Sequence, residues 1–314
     1  MFKKCFYLLI GLCLLQSACK QGNKETLMEL DGAQAISLKG EPLYAPKLSA
    51  KQKERLRNNL KLAVYDFTKE PSELNTIWVG RRHAYLGDYK QAIEVYSNGL
   101  ERFPESYRLY RHRGHRYVST RQFDKAIADF EKAYALMPRD TLEIEPDGIP
   151  NRLNQPLSNT QFNILYHYGL AHYLKGEFGK ASILYMACLN YSDNPDLKVA
   201  TTDWLYMSLM REGKTAQAEE FLATIPDSLE IIENDSYYKR LRMYQGKLPF
   251  EELFKTNEED VALSLATQGY GVANWYLYNG DTTQAKSIYH QILSGDSWSP
   301  FGYIAAEADM VMIQ

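Results

Sequence analysis

A spacing pattern centred on alanine recurs along this 314-residue chain and limits the folds that it can adopt. The pattern has a small residue twelve positions before the alanine, a turn glycine five before and an aromatic three before. An aromatic follows at four, a small residue at seven and a proline at twelve positions after it. The first copy consists of Gly80, Gly87, Tyr89, Ala92, Tyr96, Gly99 and Pro104. The second, 34 residues later, consists of Gly114, Phe123, Ala126, Phe130, Ala133 and Pro138, with Arg121 at the turn-glycine position.

These residue types suit two helices packed closely against each other. Small side chains at facing positions let two helix axes approach, and aromatic rings fill the space beside them. A glycine accommodates the tight turn between the helices, and a proline ends the second helix. The pattern therefore predicts repeated antiparallel helix pairs.

Further copies continue the pattern towards the C-terminus. The third copy matches the pattern well, and two weaker copies centre on Ala218 and Ala285. Their members are Gly169, Gly176, Phe178, Ala181, Tyr185, Cys188, Gly213, Ala218, Leu222, Ala273, Gly280, Ala285 and Tyr289. Gly246 with Leu248 marks a degenerate pair between the weaker copies, which gives six pairs. Cys188 occupies a small-residue position, so we expect it in the core.

The 34-residue period and its residues resemble the tetratricopeptide repeat (TPR). The resemblance implies an all-α fold, a right-handed superhelix (α-solenoid) of about six helix pairs plus capping helices, over residues 48–314. Residues 49–68 have helical apolar spacing with Ser49 as N-cap, and we expect a capping helix there. Residues 299–314 are expected to form the closing helix, because an open solenoid end exposes apolar surface.

The first nineteen residues have the three regions of an export signal. Lys3 and Lys4 precede an apolar run, which is followed by small residues and Cys19. The ending LQSAC resembles a lipobox, although Gln16 stands where leucine is preferred. We predict a signal peptide at 1–18, lipidation of Cys19 and a polar tether at 19–47; simple secretion is the alternative. Only Cys188 lies in the body of the chain, so no disulfide framework is expected.

In TPR proteins the first helix of each pair lines the concave face, where partners bind as extended peptides or helices. Helical spacing predicts that Arg81, Arg108, Arg111 and His115 face this groove, whereas Arg82, Arg113 and Arg116 point elsewhere or into the neighbouring pair. Such a groove would bind acidic side chains or a chain terminus. Alternatively, the arginines pair with the acidic residues Asp88, Glu101 and Glu105. The chaperone-tail clamp is not implied, because Ile77 and Arg81 replace its Lys and Asn.

The rest of the predicted groove is more aromatic, with Tyr166, Tyr173, Tyr270, Asn274 and Tyr278. Rings at helical spacing can contact a ligand or simply form core. The interval between the second and third copies is 21 residues longer than the period, which predicts an insert at about 139–160 that is rich in proline. The insert is either part of the binding surface or a spacer. Residues 145–178 are similar to those of a bacterial group of exported TPR proteins.

Composition and motifs argue against other functions. The 36 basic and 39 acidic residues nearly cancel, so no nucleic-acid partner is expected. The chain has no HExxH, CxxC, phosphate-loop or GxSxG motif, and the pairs His112/His115 and His167/His172 lack adjacent acidic ligands. We therefore expect no enzyme, cofactor or metal. The prediction is a membrane-anchored scaffold or adaptor that faces the periplasm or cell surface and binds a protein or peptide, with a glycan or small-ligand binding lipoprotein as the alternative.

Overall fold

The predicted helix pairs are present in the computed structural model, which describes residues 31–253 and 261–313. The six pairs are α2 Glu73–Tyr85 with α3 Tyr89–Arg102, α4 Tyr107–Ser119 with α5 Phe123–Leu136, α6 Thr160–Leu174 with α7 Phe178–Leu189, α8 Pro195–Arg211 with α9 Thr215–Ala223, α10 Asp235–Tyr244 with α11 Phe250–Leu253, and α12 Val261–Tyr278 with α13 Thr282–Leu293. They are preceded by α1 Ala50–Lys69 and followed by α14 Phe301–Met312. The all-α solenoid is thereby confirmed.

The alanine at the centre of each repeat lies at a helix contact. Ala92, Ala126, Ala181, Ala218 and Ala285 are all fully buried. The small residue of the first helix is equally constrained, because a Cβ on Gly80 would lie 2.2 Å from Cε1 of Tyr96 in α3. Small residues therefore recur because the two helices leave no room for larger ones.

The turns between paired helices require left-handed backbone. Gly87, Gly176, Gly213, Gly246 and Gly280 have φ between 69° and 90°. At the corresponding turn of the second pair, Arg121 adopts φ 61°. The second helices α3 and α5 end two residues before Pro104 and Pro138, as the repeat pattern predicts.

Helix α1 forms the predicted N-terminal cap. The Ser49 hydroxyl accepts a hydrogen bond from the backbone N–H of Gln52, and the Gln52 side-chain oxygen accepts one from the backbone N–H of Ser49. This reciprocal arrangement is a capping box. The helix packs against α2.

The tether prediction for 19–47 is wrong for part of that segment. The strands β1 Ala33–Ile36 and β2 Pro42–Tyr44 pair antiparallel. Ala35 packs in the core of the first pair, and the Tyr44 carbonyl accepts a 2.6 Å hydrogen bond from the Trp298 indole. These strands are only four and three residues long, and a two-stranded hairpin is marginal by itself, so contacts with residues distant in the sequence stabilise them. The predicted signal peptide and Cys19 lie outside the described residues.

Helix α14 is where the sequence predicts a closing helix, but it does more than cover the last pair. It packs against α12 and α13 and also contacts α6 of the third pair. Its Asp309 is fully buried and binds Arg211 of α8 at 2.9 Å. Across the described ranges, no helix combines the length and apolar character needed to cross a bilayer.

Candidate binding surface and central cavity

The three arginines that are predicted to face the groove lie close together. Arg81 of α2 and Arg108 and Arg111 of α4 form a cluster, called here the arginine site. All three contact the insert that joins α5 to α6. The structure therefore brings these three side chains together against one segment.

The insert supplies the arginine site with its own carboxylates. Arg108 lies 2.7 Å from Glu143 Oε2, and Arg111 lies 3.1 Å from Glu145 Oε1. Arg108 also contacts Glu73 of α2 at 3.3 Å. The predicted pairing with Asp88, Glu101 and Glu105 is not the one that the structure contains.

Other polar groups hold the same two glutamates in position. The Tyr107 hydroxyl donates to Glu143 Oε2 at 2.6 Å, and the Asn163 amide donates to Glu145 Oε2 at 3.1 Å. Arg81 donates to the Pro146 carbonyl at 2.7 Å. The site therefore binds two carboxylates and a backbone carbonyl of one short segment.

This segment of the insert is extended and bound along its backbone. The Glu145 amide donates to the Ser158 carbonyl, and the Thr160 amide donates to the Glu143 carbonyl. Residues 143 and 145 consequently project towards the same side, as alternate residues of an extended chain do. The insert is therefore packed against α4 and α6 by its side chains and its backbone.

The contact between the insert and the arginine site leaves polar atoms without partners. Arg111 Nε and Asp147 Oδ2 are both buried and have no hydrogen-bond partner within the described residues. Burial lowers the pKa of the Arg111 guanidinium, with Glu145 acting in the opposite direction, and burial raises the pKa of Asp147. Unpaired buried polar groups reduce the stability of such a contact.

The remaining arginines of α2 and α4 have separate roles. Arg113 makes two 2.8 Å hydrogen bonds to Asp129 of α5, so it points into its own pair as predicted. Arg82 lies over the Trp78 ring, with 4.7 Å to the centroid. Arg116 lies over the Tyr89 ring of the neighbouring helix pair and also lines a cavity.

The aromatic part of the predicted groove is mostly core. Tyr173, Tyr270 and Asn274 are at most 1% exposed, and the Tyr270 hydroxyl and Asn274 amide lie 2.7 and 2.9 Å from the Tyr173 hydroxyl. Tyr166 is also buried, and Tyr278 is half-buried. The prediction failed because α14 covers this side of α6 and α12. A ligand role for these rings, as the glycan alternative requires, would need α14 to move.

The sequence of α6 itself predicts that this helix is buried. All residues of α6 except Tyr168 are buried, and its sequence TQFNILYHYGLAHYL is apolar or aromatic around most of its circumference. A helix that is hydrophobic on all sides is expected to be covered on all sides.

A cavity of about 360 Å³ lies between the first helices of several pairs and the start of α14. Its lining includes His115, Arg116 and Ser119 of α4, Trp204 of α8, Tyr237 of α10 and Phe301 of α14. The His115 ring is tilted by 34° against the His167 ring, with 4.3 Å between their centroids, and lies 5.3 Å from the Phe301 ring. His115 thus lies next to the cavity and not in the arginine site.

The buried histidines do not form a metal site. Burial, together with the nearby arginines, holds the pKa of His112 and His115 well below the ordinary value and that of His167 at about 3. The described residues contain no group of three His, Cys, Asp or Glu side chains that could hold a metal ion. Cys188 is fully buried, with its pKa raised to about 12 by burial, in the core position that the repeat predicts.

One family model and two solved structures resemble parts of this chain. Residues 80–141 match the tetratricopeptide repeat family. YrrB, a TPR protein with an unusual peptide-binding site, has a similar crystal structure with TM-score 0.43 and 13% identity, covering 80% of this chain and 99% of that one. PilW, a widely conserved type IV pilus biogenesis factor, gives TM-score 0.39 and 15% identity, covering 76% of this chain and 98% of that one. No curated protein matches the sequence. The chain is thus an all-α solenoid that carries tetratricopeptide repeats at residues 80–141.

Proposed function

We propose that this protein is a non-catalytic scaffold of the bacterial cell envelope that binds an acidic, extended segment of a partner protein at the arginine site. The observation that supports this most is that the arginine site already binds acidic residues of this chain. Its arginines already bind two carboxylates, from Glu143 and Glu145, on an extended piece of chain.

The geometry of the insert suggests the motif that a partner would present. Two acidic residues separated by one residue, followed by a free carbonyl, reproduce Glu143, Glu145 and the Pro146 carbonyl. Hydrogen bonds between arginine and carboxylate are worth about 1.5–3 kcal/mol each where one partner is charged. A Glu-x-Glu segment would take the place of the insert segment, whose contact leaves Arg111 Nε unpaired.

The experiment is a titration of the full-length protein with a synthetic peptide that contains Glu-x-Glu, and with its Gln-x-Gln counterpart. We expect binding of the Glu peptide alone, weakened at least about tenfold by Arg108→Gln. Arg57→Gln, on the exposed side of α1, is the matched control and should change nothing. Raising the salt from about 50 to 500 mM should weaken binding markedly. Equal binding of both peptides, or binding that survives Arg108→Gln and high salt, would rule out the arginine site.

The proposed location rests on the N-terminal sequence. We propose that Cys19 is acylated after cleavage of residues 1–18, which would hold the scaffold on a membrane at the periplasmic or cell-surface side. Each buried methylene contributes about 0.8 kcal/mol, so two or more acyl chains give stable anchoring. Cys19→Ser should move the protein from the detergent phase to the aqueous phase in a partitioning assay. Unchanged partitioning would exclude the acyl anchor.

A further inference from the structure

We propose that the central cavity lined by Arg116, Trp204 and Phe301 binds a small organic carboxylate with an aromatic body. This site is separate from the arginine site and does not depend on the proposed scaffold function. Its volume, about 360 Å³, falls at the small end of the range for ligand pockets.

The charge of the cavity favours an anion. Arg116 is half-buried beside Tyr89, and its guanidinium forms no hydrogen bond or ion pair with the residues that the structure describes. The other arginine in the wall, Arg240, is already used: its Nε donates to Asp203 Oδ1 at 3.0 Å and its NH1 to the Thr267 carbonyl at 2.6 Å. Arg116 is therefore the cation in the described wall that can take a carboxylate from outside.

The histidine beside Arg116 does not compete for this role. Burial, with Arg116 and His167 contributing, holds the pKa of His115 well below its ordinary value, so the ring is neutral at physiological pH. A neutral imidazole adds a flat polar surface without adding charge. The single unpaired guanidinium matches a ligand with one carboxylate.

The walls suit a flat apolar body. Tyr89, Trp204, Tyr237 and Phe301 all contribute to the lining. The Trp204 ring is fixed by stacking against Tyr185 and Tyr270, at centroid distances of 6.5 and 5.9 Å. Rigid rings offer a large contact area with little loss of side-chain entropy.

A polar atom in this wall lacks a partner. Trp204 is 1% exposed, and its indole N–H has no hydrogen-bond acceptor among the described residues. Such buried, unsatisfied donors are rare in native proteins. This N–H is itself covered by surrounding side chains, so the group in the described wall that would pair with a ligand carboxylate is the Arg116 guanidinium.

The test uses phenylacetate as probe and phenylacetamide as its uncharged counterpart, titrated into the full-length protein by calorimetry. We expect saturable binding of phenylacetate, and binding of the amide that is weaker by about tenfold or more. Arg116→Gln should cause the same loss for phenylacetate, and Arg116→Lys a smaller one, because lysine keeps the charge without the planar fork. Arg57→Gln is again the control and should bind as the unsubstituted protein does.

A second readout locates the probe. The chain has four tryptophans, and phenylacetate should shift the indole N–H resonance of Trp204 by more than those of Trp78 and Trp275. The proposal fails if phenylacetate gives no saturable binding up to about 10 mM, if the amide binds equally well, or if Arg116→Gln binds as tightly as Arg57→Gln. Competition between phenylacetate and a Glu-x-Glu peptide that is abolished by Arg108→Gln would also overturn it, because the probe would then occupy the arginine site.

Discussion

Arg121 and Glu307 are 186 residues apart in the sequence and form a buried ion pair, with 2.9 Å between Arg121 Nε and Glu307 Oε2. Arg121 also donates to the carbonyls of Ser119 and Trp298. Its backbone has φ 61°, although the corresponding turns of five other pairs have glycine. A non-glycine residue in this conformation costs roughly 1 kcal/mol or more. The side chain offsets that cost by connecting the second helix pair to α14.

Replacing Arg121 by the glycine typical of the repeat should therefore destabilise this protein. Arg121→Gly relieves the backbone strain but leaves Glu307 buried without its partner, and we expect a net loss of about 2–4 kcal/mol in the free energy of unfolding. Adding Glu307→Leu to Arg121→Gly should recover part of that loss, because it removes the unpaired carboxylate but also the acceptor of the Leu38 backbone amide. Urea unfolding of the single and double variants measures both effects. A single variant as stable as the unsubstituted protein would contradict this role of the ion pair.

Glycines in the helices should differ sharply in how they tolerate a methyl group. Gly80→Ala places a Cβ against the Tyr96 ring, 2.2 Å from its nearest atom, and should reduce the unfolding free energy by about 1–3 kcal/mol. Gly179→Ala is the matched control, because its Cβ would have no neighbour closer than 3.4 Å. Thermal unfolding should show a change for Gly179→Ala within about 1 kcal/mol. Similar effects of the two substitutions would argue against close packing of α2 on α3.

The insert should compete with an external acidic peptide. Glu143→Gln combined with Glu145→Gln removes the internal carboxylates from Arg108 and Arg111, so the arginine site should bind a Glu-x-Glu peptide roughly three- to tenfold more tightly. Glu230→Gln, in the exposed loop between α9 and α10, should leave the affinity unchanged. Fluorescence anisotropy of a labelled peptide measures the difference. Weaker or equal binding by the double variant would mean that the insert is a permanent part of the wall.

Acidification should destabilise the interface between α4 and α6. His112, His115 and His167 bind a proton less readily when folded than when unfolded, because burial lowers their pKa values. Below pH 6.5 the unfolded chain takes up more protons at these sites, so stability falls by up to about 1.4 kcal/mol per pH unit for each histidine. Asp203, whose pKa burial raises to about 6, acts in the opposite direction, as do Asp129 and Asp147, whose pKa values burial also raises. His172, whose pKa burial lowers, adds to the effect of the three histidines.

Urea unfolding at pH 7.5 and 5.5 checks this expectation. The His167→Phe variant keeps a ring beside Phe301 and Tyr166 and removes one titrating group, so its stability should depend less on pH. The same pH dependence in the variant and the unsubstituted protein would exclude His167 as a contributor.

Local features of the fold could be predicted from the sequence. The central alanines, the turn glycines, the N-cap at Ser49 and the number of helix pairs follow from packing and backbone rules that act within about 40 residues. The grouping of Arg81, Arg108 and Arg111 was predictable for the same reason, since adjacent repeats place equivalent positions on one face.

Contacts between distant segments could not be predicted in this way. In the sequence, Glu143 and Glu145 look like ordinary charged residues of a polar insert. Only the structure shows that the insert folds back onto α4. Tyr173 and Tyr270 have the spacing of a groove, and only the position of α14 makes them core. The strands at 33–44 depend on Trp298, which is more than 250 residues away. Periodicity indicates which residues share a face and not what covers that face.

The contact between α14 and Arg121 limits how this chain can gain or lose repeats in evolution. An ordinary solenoid can lose or duplicate a repeat, because each unit interacts only with its immediate neighbours. Here a deletion or duplication of a unit between α5 and α8 would displace Glu307 from Arg121, and one between α8 and α14 would displace both Glu307 from Arg121 and Asp309 from Arg211. The copy number of the intervening units is therefore fixed by these two carboxylates, and homologues that retain both should differ in loop length before they differ in repeat count.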